Sequence, residues 1–362
     1  MEYALSELFT LQMGKTPSRD NSSYWKKSEN NWISIADLTN SGKYISNTKE
    51  TLSDSAVAES GIKKIPANTV IMSFKLSLGK VAITEKEMYS NEAIMAFIDK
   101  GVEKISPEYL YYLLRAKDWS KGTNKAVMGA TLNKATLSTI KIQLHEYDNQ
   151  LEIVNMLNRV SSSIDFRKQQ LTKLDELIKA RFVEMFGDPY TNSKDYPLKK
   201  GESFFKLSNG KAVPESKRLN GGIPAYGGNG ISWYTDESLF DADTIVVGRV
   251  GFQSGNVHLV KGPLWVTDNA MYMSSCDFSQ YNLTFLIELM AHVDFTKFQD
   301  AGDLKKITQK PFMQFEYLCP PLSLQNQFAA FVAEVDKSKV EVQKALDQTQ
   351  LLFDSLMQQY FG

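Results

Sequence analysis

The sequence predicts an α+β fold built from two similar globular segments, each followed by a long α-helix. Three observations support this organisation. The second half of the chain aligns with the first half when Gly362 is placed on Gly187. Both copies of the aligned stretch carry apolar residues at helical spacing and close on Phe-Gly. The segments before them mix short β-rich runs with glycine-rich turns. We therefore expect a pseudo-twofold internal repeat.

The two predicted helices are the clearest part of the repeat. Residues 142–187 align with residues 317–362 without a gap, and Gln150 falls on Gln325. Apolar residues recur with a period of about 3.5, which is typical of helices that pack along a seam. The predicted seam residues are Leu157, Val160, Ile164, Leu171, Leu174, Ile178, Val332, Val335, Val342, Leu346, Phe353 and Leu356. Arg167, Arg181, Lys339 and Thr349 interrupt it.

Start and stop signals also repeat. Asp148 and Ser323 are good N-cap residues at equivalent positions. Gly187 followed by Pro189 predicts the end of the first helix. Each helix would contain about 37 residues and span roughly 55 Å. Because most helical stability in proteins comes from packing an apolar face, such a helix would be unstable alone in water, and we expect the two helices to pack on each other.

The globular segments repeat less cleanly. "ANTVIMSFKLSLGKVAI" in the first resembles "ADTIVVGRVGFQSGNVHLV" in the second, and "YSNEAIMAF" resembles "WVTDNAMYM". Short β-rich runs at Thr69–Met72, Ile245–Val247 and Val257–Val260 predict strands. The predicted domains are a first globular domain at 1–144, a first long helix at 145–188, a second globular domain at 189–320 and a second long helix at 321–362.

Composition gives little direct information about partners. The chain has 41 Lys and Arg residues against 42 Asp and Glu, so net charge does not point to nucleic acid. The N-terminus lacks the pattern of a signal peptide, and no stretch has the length and apolarity of a membrane span. Cys276 and Cys319 show no pairing or metal-ligand spacing. These features predict a cytoplasmic protein with no membrane partner.

The sequence also lacks concentrated catalytic groups. There are three histidines, with no HExxH motif, and no GxxxxGK[ST] phosphate loop occurs. "DPY" at Asp188–Tyr190 lacks one proline of the D/N-P-P-Y/F motif of amino-methyltransferases, and it directly follows the predicted helix end. We therefore expect no catalytic, cofactor-binding or metal-binding residues, which favours recognition over catalysis.

The whole chain resembles the specificity (S) subunits of type I DNA restriction–modification enzymes. The strings that carry the resemblance include "QLEIVNMLNRV", "LQNQFAAFVAEVDKSK", "GKTPSR", "NWISIADL" and "GGIPAYGGNGISWYTDESLFDADTIVVGRVG", together with the duplicated globule–helix plan. The resemblance covers essentially all of the chain. It implies two target-recognition domains, each reading one half of a split DNA sequence. The two helices would pack as an antiparallel coiled coil and act as a spacer.

The resemblance also implies partners and the division of chemistry among them. Double-stranded DNA, two methyltransferase (M) subunits and restriction/translocase (R) subunits would bind this chain. S-adenosylmethionine, ATP and Mg would belong to those partner subunits, and methylation would fall on adenine N6. The chain itself would not be an enzyme.

Candidate DNA-binding residues are cations and polar side chains, several of them beside glycine turns, because lysine and arginine contact phosphates and polar side chains read base edges. In the first domain they are Lys15, Arg19, Lys75, Lys80, Asn133 and Lys134. In the second they are Lys211, Lys217, Arg218, Tyr226, Asn229, Arg249, Lys305 and Lys306. We favour Arg249 and Lys211, since each lies beside a glycine turn in a repeated feature.

Other functions stay open on the sequence alone. A DNA methyltransferase-like enzyme with its own recognition domain would bind S-adenosylmethionine as an isolated chain. A coiled-coil adaptor without DNA recognition would give no site-specific footprint with its partners present. An inactive or recombining gene copy would have the same sequence features as a working subunit.

Overall fold

The computed structural model describes residues 1–26, 30–75, 77–119, 124–126, 129–302 and 305–362. Its contacts divide into two compact units. Unit 1 comprises Met1–Phe166 and Leu346–Gly362, and unit 2 comprises Arg167–Ala345. Each long helix therefore contributes residues to both units.

The α-helices range from single turns to very long elements. They are α1 (Leu5–Leu8), α2 (Ile35–Asn40), α3 (Asp54–Ser60), α4 (Pro107–Ala116), α5 (Lys134–Thr139), α6 (Tyr147–Phe186), α7 (Leu283–His292), α8 (Lys310–Gln314) and α9 (Leu322–Phe361). The long helices α6 and α9 contain 40 residues each, which corresponds to about 60 Å. Within the described ranges, no helix has the length and apolarity needed to cross a lipid bilayer.

The strands are mostly short. Those of unit 1 are β1 (Glu2–Ala4), β2 (Phe9–Met13), β3 (Asn30–Ile33), β4 (Tyr44–Ile45), β5 (Glu50–Leu52), β6 (Val70–Ser73), β7 (Val81–Thr84), β8 (Tyr89–Ser90), β9 (Ile94–Asp99), β10 (Asn124–Ala126), β11 (Gly129–Thr131) and β12 (Lys141–Gln143). Those of unit 2 are β13 (Leu198–Lys200), β14 (Phe205–Asn209), β15 (Ile223–Gly227), β16 (Gly230–Thr235), β17 (Thr244–Gly248), β18 (Val257–Val260), β19 (Trp265–Val266), β20 (Ala270–Cys276) and β21 (Glu316–Leu318).

Unit 1 is organised around a main sheet with the strand order β2-β9-β6-β7-β4. A second sheet has the order β5-β3-β8, in which β3 is antiparallel to β5 and parallel to β8. Strand β1 pairs with β12, so the strand that opens the unit lies beside the strand that leads into α6.

Unit 2 repeats this strand order, except that its main sheet has four strands and no counterpart of β4 among the described residues. Its main sheet runs β14-β20-β17-β18, and its second sheet runs β16-β15-β19, with β15 antiparallel to β16 and parallel to β19. Strand β13 pairs with β21 immediately before α9. The internal repeat predicted from the sequence is therefore confirmed by two units whose shared strands have the same order, each mixing sheets and helices.

The predicted strands are confirmed with small changes in their bounds. The run predicted at Thr69–Met72 becomes β6, the run at Ile245–Val247 becomes β17, and the run at Val257–Val260 coincides with β18. The predicted helix stop is also confirmed, because α6 ends at Phe186 and Gly187 follows with a φ of +76°. That left-handed conformation favours glycine.

In each unit, part of α6 and part of α9 share the apolar core. Leu157, Ile164 and Phe353 are buried in the core of unit 1, with Val160, Leu346 and Leu356 packed against it. Ile178, Val332 and Val335 are buried in the core of unit 2, with Leu174 packed against it. Leu171 and Val342 are half-buried. All of the predicted seam residues are therefore at least partly shielded from solvent.

Charged residues that interrupt the predicted seam also make contacts. In unit 2, Lys339 Nζ of α9 lies 2.7 Å from Asp175 Oδ1 of α6. The Arg181 guanidinium lies 5.8 Å from the centroid of the Phe331 ring. These contacts give the two charged side chains partners within their own unit.

The helix starts differ from the sequence prediction. α6 begins at Tyr147 and α9 at Leu322, so Asp148 and Ser323 lie inside the first turn and are not the N-cap residues. The Asp148 carboxylate still suits this position, because the first turn of a helix favours negative charge. The chain before each helix is bonded to a buried glutamine in the first turn of that helix.

Gln150 fixes the start of α6. Its side chain is 1% exposed, and its Oε1 accepts a hydrogen bond from Ser106 N at 3.0 Å. Its Nε2 donates to Lys104 O at 3.2 Å and to His145 O at 3.0 Å. One amide therefore joins the long helix to the segment that leads into α4 and to the segment between β12 and α6.

Gln325 makes the same set of bonds at the start of α9. It is 0% exposed, and its Oε1 accepts from Asn282 N at 2.8 Å. Its Nε2 donates to Gln280 O and to Pro320 O, both at 2.9 Å. The two glutamines that coincide in the sequence alignment thus perform the same structural role before α4 and before α7.

Replacing either glutamine tests this role. Gln150→Ala or Gln325→Ala leaves one buried N–H and two carbonyl groups without their partner, so we expect the free energy of unfolding to fall by about 2–4 kcal/mol. Urea denaturation of the full-length chain, followed by tryptophan fluorescence, measures this loss. The exposed Gln169 and Gln327 on the same helices provide control substitutions to alanine, with expected changes within about 0.5 kcal/mol. Equal effects at buried and exposed positions would contradict the assigned role.

Candidate nucleic-acid interface

In unit 2, several chain segments meet at the end of the main sheet where β17 finishes. Arg249 N donates to Asn269 O at 2.9 Å, and Ile307 N donates to Arg249 O at 3.0 Å. Gly251 N donates to Lys305 O at 2.8 Å. These bonds hold the loop after β17 between the start of β20 and the segment that carries the predicted Lys305.

The turn between β15 and β16 lies against the same loop. A Cβ added to Gly228 would lie 3.4 Å from Gly248 Cα and 3.6 Å from Val250 O, and one added to Gly248 would lie 2.8 Å from Gly228 O. Glycine therefore allows the two backbones to approach this closely. The exposed Asn229 and the half-buried Tyr226 are carried on this turn and its incoming strand, beside the loop of Arg249.

Lys211 joins this end of unit 2 through β19. Its N–H donates to Val266 O at 2.8 Å, and Trp265 Nε1 donates to Lys211 O at 2.7 Å. Thr267, which follows Val266, donates its N–H to Tyr226 O at 2.8 Å. The backbone around Lys211 is therefore fixed, while its side chain is exposed.

We define the unit 2 loop cluster as Lys211, Tyr226–Gly230, Arg249–Gly255 and Lys305–Ile307. Lys305 and Lys306 are exposed and Arg249 is half-buried. Among the sequence-predicted residues of this unit, the structure thus brings together Lys211, Tyr226, Asn229, Arg249, Lys305 and Lys306.

Lys217 and Arg218 are exposed, but each already has a partner within unit 2. Lys217 Nζ lies 2.6 Å from Glu237 Oε1, and the Arg218 guanidinium lies 4.1 Å from the centroid of the Trp233 ring. Trp233 pairs with Ala225 on the β15–β16 hairpin, away from its turn. These two cations are therefore weaker candidates for phosphate contacts than the members of the unit 2 loop cluster.

Unit 1 repeats the backbone arrangement. Phe74 N donates to Ala93 O at 3.0 Å, and Leu132 N donates to Phe74 O at 3.1 Å, which are the counterparts of the two bonds made by Arg249. The loop after β6 therefore lies between the start of β9 and the segment before α5. It carries Lys75, which is half-buried, and Lys80, which is exposed.

The remaining candidates of unit 1 are partly occupied by structural bonds. Asn133 is the N-cap of α5, and its Oδ1 accepts from Thr136 N at 2.8 Å, whereas Lys134 at the first helical position is exposed. Lys15 Nζ donates to Ser60 O. The backbone N–H of Lys15 donates to a carbonyl of β8, and the backbone N–H of Lys211 likewise donates to a carbonyl of β19. We define the unit 1 loop cluster as Lys15, Phe74–Lys80 in its described part, and Leu132–Lys134.

Arg19 is engaged on both sides of its guanidinium. Two nitrogens lie 2.6 and 3.0 Å from the carboxylate oxygens of Glu50, and the guanidinium carbon lies 3.6 Å from the centroid of the Trp25 ring. The hydrogen bond from Arg19 lowers the pKa of Glu50. Arg19 therefore holds the fold of unit 1 through an ion pair and an aromatic contact.

Glu92 is a residue that the sequence interpretation missed. Its side chain is exposed and accepts a hydrogen bond from Thr16 Oγ1. This bond, assisted by the charges of Lys75 and Arg19, lowers the pKa of Glu92. The alignment of "YSNEAIMAF" with "WVTDNAMYM" offers a signal, because it places Glu92 on the acidic Asp268.

The two loop clusters combine groups that suit nucleic acid. Exposed lysines can contact phosphates, and an arginine or amide can donate to base edges in the major groove. Glu92, which precedes the Ala93 bonded to Phe74 of the unit 1 loop cluster, has a carboxylate that can accept from cytosine N4. Among the described residues, no group of His, Cys, Asp and Glu could hold a metal ion.

Comparisons with known proteins agree on one family. A family model described as the type I restriction modification DNA specificity domain matches residues 1–176 and again residues 194–349. The Type I restriction enzyme EcoprrI specificity subunit of Escherichia coli is 21% identical over 354 residues, which cover 92% of this chain and 86% of that protein.

Solved structures show the same fold. The S subunit of a Type-I restriction-modification system from M. genitalium has a TM-score of 0.60 at 15% identity, covering 99% of this chain and 94% of that chain. A chain from a structure on complex assembly and conformational transition of the type I R-M system has a TM-score of 0.62 at 14% identity, covering 100% and 97%. Since the family model matches both halves of the sequence, this chain belongs to the type I restriction modification DNA specificity domain family.

Proposed function

We propose that this chain is the non-catalytic DNA-recognition subunit of a type I restriction–modification complex, in which each globular unit reads one half of a bipartite target. The observation that carries this proposal is the repeated loop cluster. The backbone bonds of Arg249 in unit 2 have counterparts at Phe74 in unit 1, yet the side chains differ. The same backbone arrangement with different side chains would allow the two globular units to recognise different DNA half-sites.

Within this proposal the exposed lysines contact phosphates and position each unit, while other polar groups read bases. Lys15, Lys80 and Lys134 would contact phosphates in unit 1, with Lys75, Asn133 and Glu92 nearer the bases. In unit 2, Lys211, Lys305 and Lys306 would contact phosphates, with Tyr226, Asn229 and Arg249 nearer the bases. Arg19, Lys217 and Arg218 would support the reading loops through their internal contacts.

We infer that α6 and α9 form an antiparallel coiled coil that spaces the reading segments 1–144 and 189–320. Support comes from the apolar residues of both helices in each core and from the ion pair between Asp175 and Lys339. Two different readers on one rigid spacer would recognise a split site that need not be palindromic, whereas symmetric dimers read palindromic half-sites.

The catalytic steps belong to partner subunits in this proposal. The S-adenosylmethionine, ATP and Mg needed for methylation, translocation and cleavage would bind to two methyltransferase subunits and to the restriction subunits. Phe166, Val340 and Leu351 are 60%, 64% and 69% exposed on the long helices, which offers apolar surface for docking those subunits. The proposed complex acts on cytoplasmic DNA.

The methylated sequence tests the function. The chain is co-expressed with its methyltransferase subunit, and modified bases are mapped by sequencing the host DNA. We expect a motif with two specified halves, a methylated adenine in each half, and an unread gap between them. Arg249→Ala, with Lys337→Ala on the exposed face of α9 as its control, should relax only one half. A single undivided motif, or no motif, would overturn the proposal.

Shortening both helices tests the spacer. The variant lacks residues 168–174 of α6 and residues 340–346 of α9, one heptad from each helix. In an antiparallel pair that is aligned by the contact between Asp175 and Lys339, these two segments lie opposite each other. The seam then continues in phase, and each helix loses about 10 Å. We expect the same two half-sequences with a gap shorter by up to about three base pairs, each base pair rising about 3.4 Å. An unchanged gap would rule out the spacer role.

A further inference from the structure

Phe252 lies at the tip of the loop after β17 and is unusually exposed. Its side chain is 90% exposed, the highest fraction of any large apolar residue in the described part of the chain. A phenylalanine in a monomeric protein normally buries much of its surface, because exposure of an apolar ring to water is unfavourable. The ring is therefore available to contact a partner at the tip of this loop.

The loop that carries Phe252 has a defined conformation. Gly251 and Gly255 have φ values of +88° and +98°, which favour glycine on both sides of the tip. Ser254 N donates to Gly251 O at 3.0 Å, and Gly255 N donates to Gly248 O at 2.8 Å. Together with the bond from Gly251 N to Lys305 O, these contacts present the ring on a closed, supported turn.

Three cationic residues belong to the backbone segments at the base of this turn. Arg249 begins the loop, and both Lys305 and the adjacent Lys306 are exposed on the segment bonded to it. Val250 and Lys306 form a β-bridge, so the lysine segment runs directly beside the loop. An apolar tip with a cationic base matches stacked bases between two phosphate backbones better than it matches an apolar protein surface.

We propose that Phe252 inserts between adjacent bases of the half-site read by unit 2 and unstacks that step. This inference rests on the proposed DNA-recognition function and adds one reading residue to it. Aromatic and apolar side chains that enter a base step kink the duplex and favour steps that unstack easily. Phe252 would thus contribute specificity through deformability, without a hydrogen bond to a base.

The test uses the full-length chain in complex with its methyltransferase subunit. Duplexes that carry the mapped motif contain one 2-aminopurine at a time, at successive positions of both half-sites. With the wild-type chain, we expect the increase that base flipping by the methyltransferase subunits gives at the methylated adenine of each half, and one further increase at a single step of the half-site read by unit 2. Phe252→Ala should abolish that further increase and weaken binding roughly 10- to 100-fold, as expected for a lost stacking contact. Phe252→Trp should retain both.

A matched control is available in the same unit. Phe278 is 59% exposed and lies just after the last residue of β20. The loop of Phe252 lies at the other end of that strand, because Arg249 N donates to Asn269 O just before β20 begins. Phe278→Ala should leave the fluorescence and the affinity unchanged. Because both rings are exposed, neither substitution removes core packing.

The possible results separate the two proposals. If the wild-type complex binds the bipartite duplex specifically but Phe252→Ala matches it in affinity and fluorescence, the insertion of Phe252 is refuted and the recognition function stands. If Phe252→Ala instead reduces copurification with the methyltransferase subunit, the ring docks a protein and the insertion is also refuted. If the wild-type complex does not prefer the bipartite duplex over a scrambled one, the recognition function itself fails.

Discussion

Each long helix is joined to its globular segment by one buried glutamine amide, and the rest of the structure depends on this connection. Gln150 and Gln325 each satisfy one N–H and two carbonyls of the chain that surrounds the helix start. An apolar residue there would leave those groups unpaired in the interior, which is costly. The orientation of each helix on its own unit is thus set by directional bonds as well as by core packing.

A small number of directional hydrogen bonds also fixes each loop cluster. In both units, a loop of the main sheet is fixed through its own N–H and C=O groups, at Phe74 and at Arg249. Because backbone groups do the positioning, the side chains on these loops can change without loss of the frame. This chain accordingly combines one repeated backbone frame with two separate sets of exposed side chains, which suits the proposed independent recognition by the two units.

Sequence reasoning was most successful where the signal is periodic or repeated. The helices, the helix end at Gly187 and the duplicated strands all follow from apolar spacing and self-alignment. It was wrong about the N-caps Asp148 and Ser323, because α6 and α9 begin one residue earlier, at Tyr147 and Leu322. The isolated Phe252 could not be recognised, since its exposure depends on how the surrounding turns fold. The sequence also predicted that Arg19 contacts DNA, but its guanidinium forms an ion pair with Glu50.

The most direct test of the account exchanges one reading segment at a time. Residues 3–141 or residues 196–316 are replaced by the equivalent segment of a second specificity subunit with a known motif, and methylated bases are mapped in cells that contain the methyltransferase subunit. The account predicts that each exchange alters one half of the motif and leaves the other half and the gap unchanged. If a single exchange altered both halves, the two units would not be independent readers, and the central claim would be contradicted.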